Sequence, residues 1–195
     1  MLLKSLDRIK IFPDFLDEET IKSVINITLE GKEWKFGHRS NGNNDYTSPF
    51  WYMELEENKL FTEKIKTIIE QKTKQRFKIN RVYANGQTFG QDGSFHQDDK
   101  NENAYTFCLY VTPLRNSSED IIGGELQFKL PDLNDDLFEY NIIYNFNQGV
   151  LFPSNYYHRG MSFKRYTHEL RVCVAWKLEI IDEDEDNHKN LEELD

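Results

Sequence analysis

The chain carries 195 residues with a formal net charge of −10, and aromatic side chains make up 14% of it. That length and aromatic content favour one packed domain over a disordered chain, and the charge argues against a protein held to nucleic acid by phosphate contacts. No apolar run approaches the ~20 residues of a membrane span and no signal-peptide pattern opens the chain. A soluble, intracellular, cytoplasmic protein is expected, with neither a membrane nor a nucleic acid as partner.

In chain order, FPDFLDEET comes first, with Asp17 as a plausible N-cap and Glu18 and Glu19 in the favourable first turn of a helix. Ile21, Val24, Ile25 and Thr28 follow at helical spacing. A second helical pattern runs from about Asn58 to Arg76, with Phe61, Ile65, Ile68 and Ile69 on one stripe. Between them GHRSNGNNDYTSPFWY, rich in Gly, Asn and Ser, reads as a long loop, either a lid or binding loop or slack surface chain.

From Lys78 onward the signal changes to strands. The candidates are KINRVYA, AYTFCLYVT, GELQFKL, FEYNIIYNF, GVLFP and LRVCVAWKLEI, with turns expected at Asn85-Gly86, Gly123-Gly124 and Asn147-Gln148-Gly149. Helices first and antiparallel strands after is an α+β pattern whose strands form a sandwich or jelly roll. The domain is expected to span 1–180, with its helical part over about 14–76 and its β core over about 78–180. The remainder, 181–195, reads as an acidic disordered tail. Cys108 and Cys173 lie inside apolar runs and read as buried reduced thiols.

The stretch GSFHQDDKNEN, 93–103, places His96 two residues before Asp98, just ahead of YTFCLYV. An isolated HxD is a weak signal and needs a third ligand. His38 lies in the early loop and His188 in the acidic tail. His158 follows GVLFPSNYYH, where a short strand gives way to a loop, and His168 in the polar FKRYTHE stretch is the alternative. Two histidines and one carboxylate on one face of a metal leave positions open, a pattern of non-haem Fe(II) chemistry rather than of a closed structural zinc site. Side chains leave an extended segment on opposite sides, so Asp98 shares the side of His96 while Asp99 faces solvent or a neighbouring loop.

Arg171 opens the last strand. Alternation puts Arg171, Cys173 and Ala175 on one face and Val172, Val174 and Trp176 on the other. An arginine among small residues is costly to bury unless it meets an anion, and its planar fork fits a carboxylate bidentately. In AYTFCLYVT, Thr106, Cys108 and Tyr110 share a face, which would bring the Tyr110 phenol near the same anion. The bland alternative is an ion pair of Arg171 with Glu169 or Glu125.

Residues 80–178 resemble the Fe(II)/2-oxoglutarate-dependent dioxygenases, in their prolyl 4-hydroxylase-like branch. The matching pieces stand in order: NRVYANGQ, HQD, YTFCLYVTP, GGELQF, GVLFPSNYYH and LRVCVAWKL, with FPDFLDEE similar to the family's opening segment. The resemblance implies a double-stranded β-helix (jelly roll) core buttressed by N-terminal helices, with His96, Asp98 and His158 as iron ligands. It further implies Arg171 on the distal carboxylate of 2-oxoglutarate, Tyr110 as its hydroxyl partner, and Tyr83 near the cosubstrate or substrate. The gap from His158 to Arg171 is longer than the family's usual spacing, which keeps Lys164 and Arg165 as competitors.

The implied cofactors are Fe(II), 2-oxoglutarate as cosubstrate and O2, with ascorbate as a supporting reductant. The implied reaction is hydroxylation of an unactivated carbon, releasing succinate and CO2. The presence of Asp98 favours hydroxylation over halogenation. A prolyl residue in a peptide or protein is the expected substrate, with a free amino acid or another side chain as runner-up. The acidic composition suits a basic or neutral peptide. His38, Arg39, Trp51, Arg115 and Tyr156 are candidate groove residues. Two other classes stay open: a non-catalytic jelly-roll binding module, and a zinc hydrolase built on the same three ligands.

Overall fold

The computed structural model describes residues 2–40, 46–113, 123–131, 137–164 and 169–181. Arg115, Arg165, His168, His188 and nearly all of the acidic tail lie outside them. A seven-stranded and a three-stranded sheet, both antiparallel, make up the β structure. The larger runs β1-β8-β5-β10-β4-β3-β2, from strands β1 (Lys10–Phe12), β2 (Lys35–His38), β3 (Phe50–Glu54), β4 (Phe77–Gln87), β5 (Ala104–Tyr110), β8 (Gly149–Pro153) and β10 (Arg171–Ile180). The smaller runs β7-β6-β9, from β6 (Leu126–Pro131), β7 (Leu137–Ile142) and β9 (Tyr157–Gly160). Helices α1 (Leu2–Asp7), α2 (Glu18–Thr28) and α3 (Lys66–Thr73) complete the elements, α3 being entered through a π-helical segment, Leu60–Ile65. None of the helices described is long and apolar enough to cross a membrane.

The period-2 alternation of the central strands sorts the interior into two compartments. Val172, Val174 and Trp176 of β10 join Val82 and Ala84 of β4, Phe107 and Leu109 of β5, and the helical Ile21, Val24, Phe61, Ile65 and Ile69 in one apolar cluster. The Trp176 indole also donates to the Phe61 carbonyl at 3.0 Å, which satisfies its buried N–H. The opposite face of the same strands carries Tyr83, Cys108, Tyr110, Cys173 and Ala175. These cluster with Leu126, Phe128 and Leu130 of the smaller sheet. β10 therefore has a core on both faces, which explains its nearly unbroken apolar run.

Asp17 caps α2 as expected, accepting from the Thr20 backbone N–H at 2.8 Å and the Thr20 hydroxyl at 2.7 Å. Four expectations are corrected. The first half is not purely helical, because β1, β2 and β3 add strands to the large sheet. A bulge at Gly37 (φ 119°) breaks the β2–β3 register, and with it the alternation that would have marked a strand. Asn85-Gly86 is no turn: both residues sit inside β4. A Cβ on Gly86 would come within 2.6 Å of Leu170 and 2.9 Å of Trp34, so this glycine serves close packing rather than a bend. The second helix is shorter than Asn58–Arg76 and ends where Lys74 turns left-handed (φ 59°). Finally, His158 belongs to strand β9 rather than to a loop.

The predicted Asn147 turn is present, and it locks the N-terminal segment to the sheet. Asn147 adopts φ 57°. Its side chain accepts from the Leu16 N–H at 3.0 Å and donates to the Leu16 carbonyl at 2.8 Å, all buried. Asn147→Ala would leave both Leu16 groups unpaired, and a loss of about 2–4 kcal/mol is expected. Urea unfolding checks this: an unchanged midpoint would show that the clasp contributes nothing.

Candidate metal centre and its cavity

The floor of the site is a ladder of rungs across β4, β10 and β5. Arg171 stands beside Gln87; Cys173 between Asn85 and Tyr110; Ala175 between Tyr83 and Cys108; Lys177 between Arg81 and Thr106. Small side chains in the middle rungs leave room above the sheet. The result is a cavity of about 390 Å³ into which all of these residues and the candidate ligands face, within the range of small-molecule sites.

Its wall is built by a backbone clasp. His96 N–H donates to the His158 carbonyl at 3.0 Å and His158 N–H to the His96 carbonyl at 2.9 Å, so the two residues face each other as a hydrogen-bonded antiparallel pair. Asp98 N–H is held by the Ser154 carbonyl at 2.9 Å. One ligand atom each from His96, Asp98 and His158 therefore lies within 4.8 Å of the other two. Each imidazole Nδ1 sits 2.9 Å from a backbone carbonyl, Ser94 for His96 and Tyr156 for His158. A carbonyl can only accept, so Nδ1 carries the proton and Nε2 faces Asp98, 3.3 Å from a carboxylate oxygen in both cases.

For His158, burial outweighs the pull of Asp98 and lowers its pKa, keeping the ring neutral and its Nε2 lone pair available. This donor set fits a divalent metal. Two imidazole nitrogens and one carboxylate occupy a single face, each with an orienting hydrogen bond behind it.

Asp98 is the most constrained of the three. Burial would raise its pKa, but the Lys177 ammonium holds the carboxyl well below the usual carboxylate range. Its Oδ2 accepts from the Lys177 ammonium and, at 2.6 Å, from the Thr106 hydroxyl. Asp99 is exposed and accepts from the Asn101 N–H at 2.9 Å, closing a local turn outside the site.

Arg171 is 2% exposed, and its hydrogen bonds run to neutral acceptors: Nε to the Gly124 carbonyl at 3.0 Å and Nη1 to Gln87 at 2.7 Å. Beside it Tyr110 is fully buried, and its hydroxyl has no hydrogen-bond partner among the described residues. Tyr144, a residue the sequence did not single out, stacks on Tyr110 at 4.8 Å and bonds the Thr112 carbonyl. Glu125, a suggested partner of Arg171, instead takes Lys164 at 2.8 Å. Lys164 is 56% exposed along its side chain and is thereby tied up away from the cavity.

His38 and Arg39 line the cavity, as does Tyr83. Trp51 instead packs on Phe36 at 5.1 Å, and the Tyr156 hydroxyl bonds the Ser5 carbonyl, so neither contributes to the lining. Lys177, Arg81 and Gln87 were missed by sequence reasoning. Lys177 was within reach, since it continues the parity of Arg171, Cys173 and Ala175 along β10.

No protein-family model and no curated protein matches the sequence. Solved structures do match the fold. A prolyl hydroxylase from Trichoplax adhaerens, in complex with a hypoxia inducible factor oxygen degradation domain peptide fragment, aligns at TM-score 0.66 and 16% identity over 95% of this chain and 89% of that one. A 2OG-Fe(II) oxygenase family oxidoreductase from Burkholderia pseudomallei aligns at TM-score 0.66 and 9% identity over 91% and 87%. A Pseudomonas putida prolyl-4-hydroxylase aligns at TM-score 0.63 and 13% identity over 93% and 100%. The chain thus shares its mixed, antiparallel-sheet fold with 2OG-Fe(II) oxygenases, prolyl hydroxylases among them.

The two adjacent aspartates give a direct check on the metal face. Asp98→Ala is expected to abolish binding of Mn(II), a redox-inert stand-in for Fe(II), in calorimetric titration, whereas Asp99→Ala should bind normally. The reverse pattern would place the metal outside this cluster.

Proposed function

We propose that the chain is an Fe(II)- and 2-oxoglutarate-dependent dioxygenase that hydroxylates an unactivated carbon. In this reading residues 1–180 form a single domain, a double-stranded β-helix buttressed by the helices of 14–76. The observation that carries it is the coincidence, in one cavity, of a His-Asp-His face with a buried arginine and an unpartnered buried tyrosine hydroxyl. A hydrolytic metal site or a plain binding module has no need of the second feature.

His96, Asp98 and His158 would hold the metal through their Nε2 atoms and a carboxylate oxygen. Arg171 and Tyr110 would receive the distal carboxylate of 2-oxoglutarate, with the tyrosine hydroxyl finding there the acceptor it otherwise lacks. Bound together, metal and cosubstrate would supply oxygen activation coupled to decarboxylation to succinate and CO2, with one oxygen atom inserted into a C–H bond.

The protein's own contribution is orientation. Gly124 and Gln87 fix the guanidinium, and two backbone carbonyls fix the imidazole tautomers. Cys173 and Ala175 keep the space between them clear, and Tyr83 closes one side. A prolyl residue in a peptide is the first substrate candidate, supported by the Trichoplax prolyl hydroxylase and its peptide complex. A free amino acid is the second.

Arg171→Ala should weaken 2-oxoglutarate binding by ~2–5 kcal/mol, a factor of tens to thousands, because a buried charge-assisted pair is lost. Arg171→Lys should restore only part of it, as a point charge without the planar fork. Anaerobic titration of the Fe(II)-loaded protein, read by the visible charge-transfer band of bound cosubstrate, measures both. Unchanged affinity in Arg171→Ala would remove the clamp from this residue. Succinate release, matched by mass-spectrometric addition of one oxygen to a proline-containing peptide, tests the substrate.

A further inference from the structure

The cavity has the opposite sign to the chain. Against a net charge of −10 overall, Arg81, Arg171 and Lys177 line it among the described residues, set against the carboxylate of Asp98 in the lining and that of Glu54 paired to Arg81 at its edge. A divalent metal and a doubly charged 2-oxoglutarate are equal and opposite, so loading them leaves this surplus in place.

The cations are also graded by depth. Arg171, at one end of the floor, is 2% exposed. Six residues along the same strand face Lys177 is 21% exposed at its side chain, and Arg81, its neighbour across the rung, is 36% exposed. The mouth therefore lies at the Lys177–Arg81 end, with the proposed metal face between the mouth and Arg171.

Arg81 is prepared for a planar anion. Its guanidinium lies 4.2 Å over the Tyr83 ring, which fixes its plane. Its Nε and Nη2 face the two carboxylate oxygens of Glu54, the fork-to-fork arrangement by which arginine reads a carboxylate. Glu54 is itself 39% exposed, so this pair is weakly held by solvent screening and is readily exchanged for another carboxylate. Lys177 bonds Asp98, a carboxylate that a bound metal would draw upon, which frees part of the ammonium's field for a group at the mouth.

We propose that the substrate presents a carboxylate to Arg81 and Lys177 at the mouth of the cavity. This deepens the oxygenase reading and rests on it. The carboxylate belongs either to a free amino acid or to an acidic residue beside the target in a peptide, and a neutral or basic peptide, favoured by composition alone, is not the preferred ligand.

The test starts from protein loaded anaerobically with Fe(II) and 2-oxoglutarate. The charge-transfer band reports cosubstrate before any probe is added, and its absence defeats the oxygenase reading itself. With the band present, matched probes are titrated: N-acetylproline against its amide, glutamate against glutamine, and capped Pro-Glu against capped Pro-Gln. A shift of the band marks binding beside the metal, whereas loss of the band marks displacement of cosubstrate and counts against the proposal.

The acid of at least one pair should act at concentrations about tenfold or more below its amide. A preference confined to the first two pairs assigns a free carboxylate, and one confined to the third assigns an acidic neighbour. Arg81→Gln should erase the preference, and Lys177→Met should reduce it. Arg81→Gln is the more direct of the two, because the hydrogen bonds of Arg81 run to Glu54 whereas Lys177 bonds Asp98, and the band recorded before any probe checks that metal and cosubstrate still load. Equal responses to acid and amide in every pair, including no response to either, overturn the proposal. So does a preference that survives intact in Arg81→Gln.

Discussion

The site is organised around a carboxylate that must stay ionised out of water. Asp98 has a side chain only 6% exposed, and an isolated buried carboxylate would protonate rather than bear its desolvation cost. The Lys177 ammonium and the Thr106 hydroxyl together overcome that cost. They come from β10 and β5, so the charge is stable only when both strands and the 93–99 segment are in place. The Asp98–Lys177 pair thus makes the integrity of the site a consequence of the fold. Removing either partner leaves a buried, uncompensated charge, which is far more destabilising than removing both.

A second constraint follows from the position of β10 at the middle of the large sheet. One parity of its residues must be apolar and large enough to pack on the helices, as Val172, Val174 and Trp176 do. The other parity faces the cavity and is free to carry chemistry, as Arg171, Cys173, Ala175 and Lys177 do. A one-residue slip would exchange the two sets, burying Arg171 and Lys177 among the helices and turning Trp176 into the cavity. The apolar face therefore fixes the register that places the functional face.

Much of this was legible in the sequence because it rests on short-range rules. The Asp17 cap, the Asn147 turn and the parity of the two central strands are local signals, and the structure shows each. The parity argument also separated Asp98 from Asp99. What the sequence could not supply was contact between distant segments. Nothing local says that Tyr157–Gly160 is a strand, since its pairing comes from β6 and from the clasp with His96. Nor could the β2–β3 hairpin be read, where Gly37 interrupts the alternation inside a Gly- and Asn-rich stretch. Lys177 lay hidden for another reason: a lysine late in an apolar strand reads as the exposed end of that strand. Its burial beside Asp98 depends on a loop some eighty residues earlier in the chain.

The sign of the cavity shows the limit of arguments from composition. A net charge speaks to solubility and to long-range steering, and those fields decay over a Debye length of about 8–10 Å at ordinary salt. A ligand already within the mouth meets a few groups at contact distance in a poorly screened space, and there the local inventory decides. By sequence, many of the acidic residues fall in the last fifteen positions, whereas Arg81, Arg171 and Lys177 are concentrated on two neighbouring strands of the floor. The average over the chain and the field in the cavity are set by different residues, so the first carries little information about the second. An acidic chain can in this way line one cavity with cations at both ends, the buried Arg171 at one and the more exposed Lys177 and Arg81 at the other.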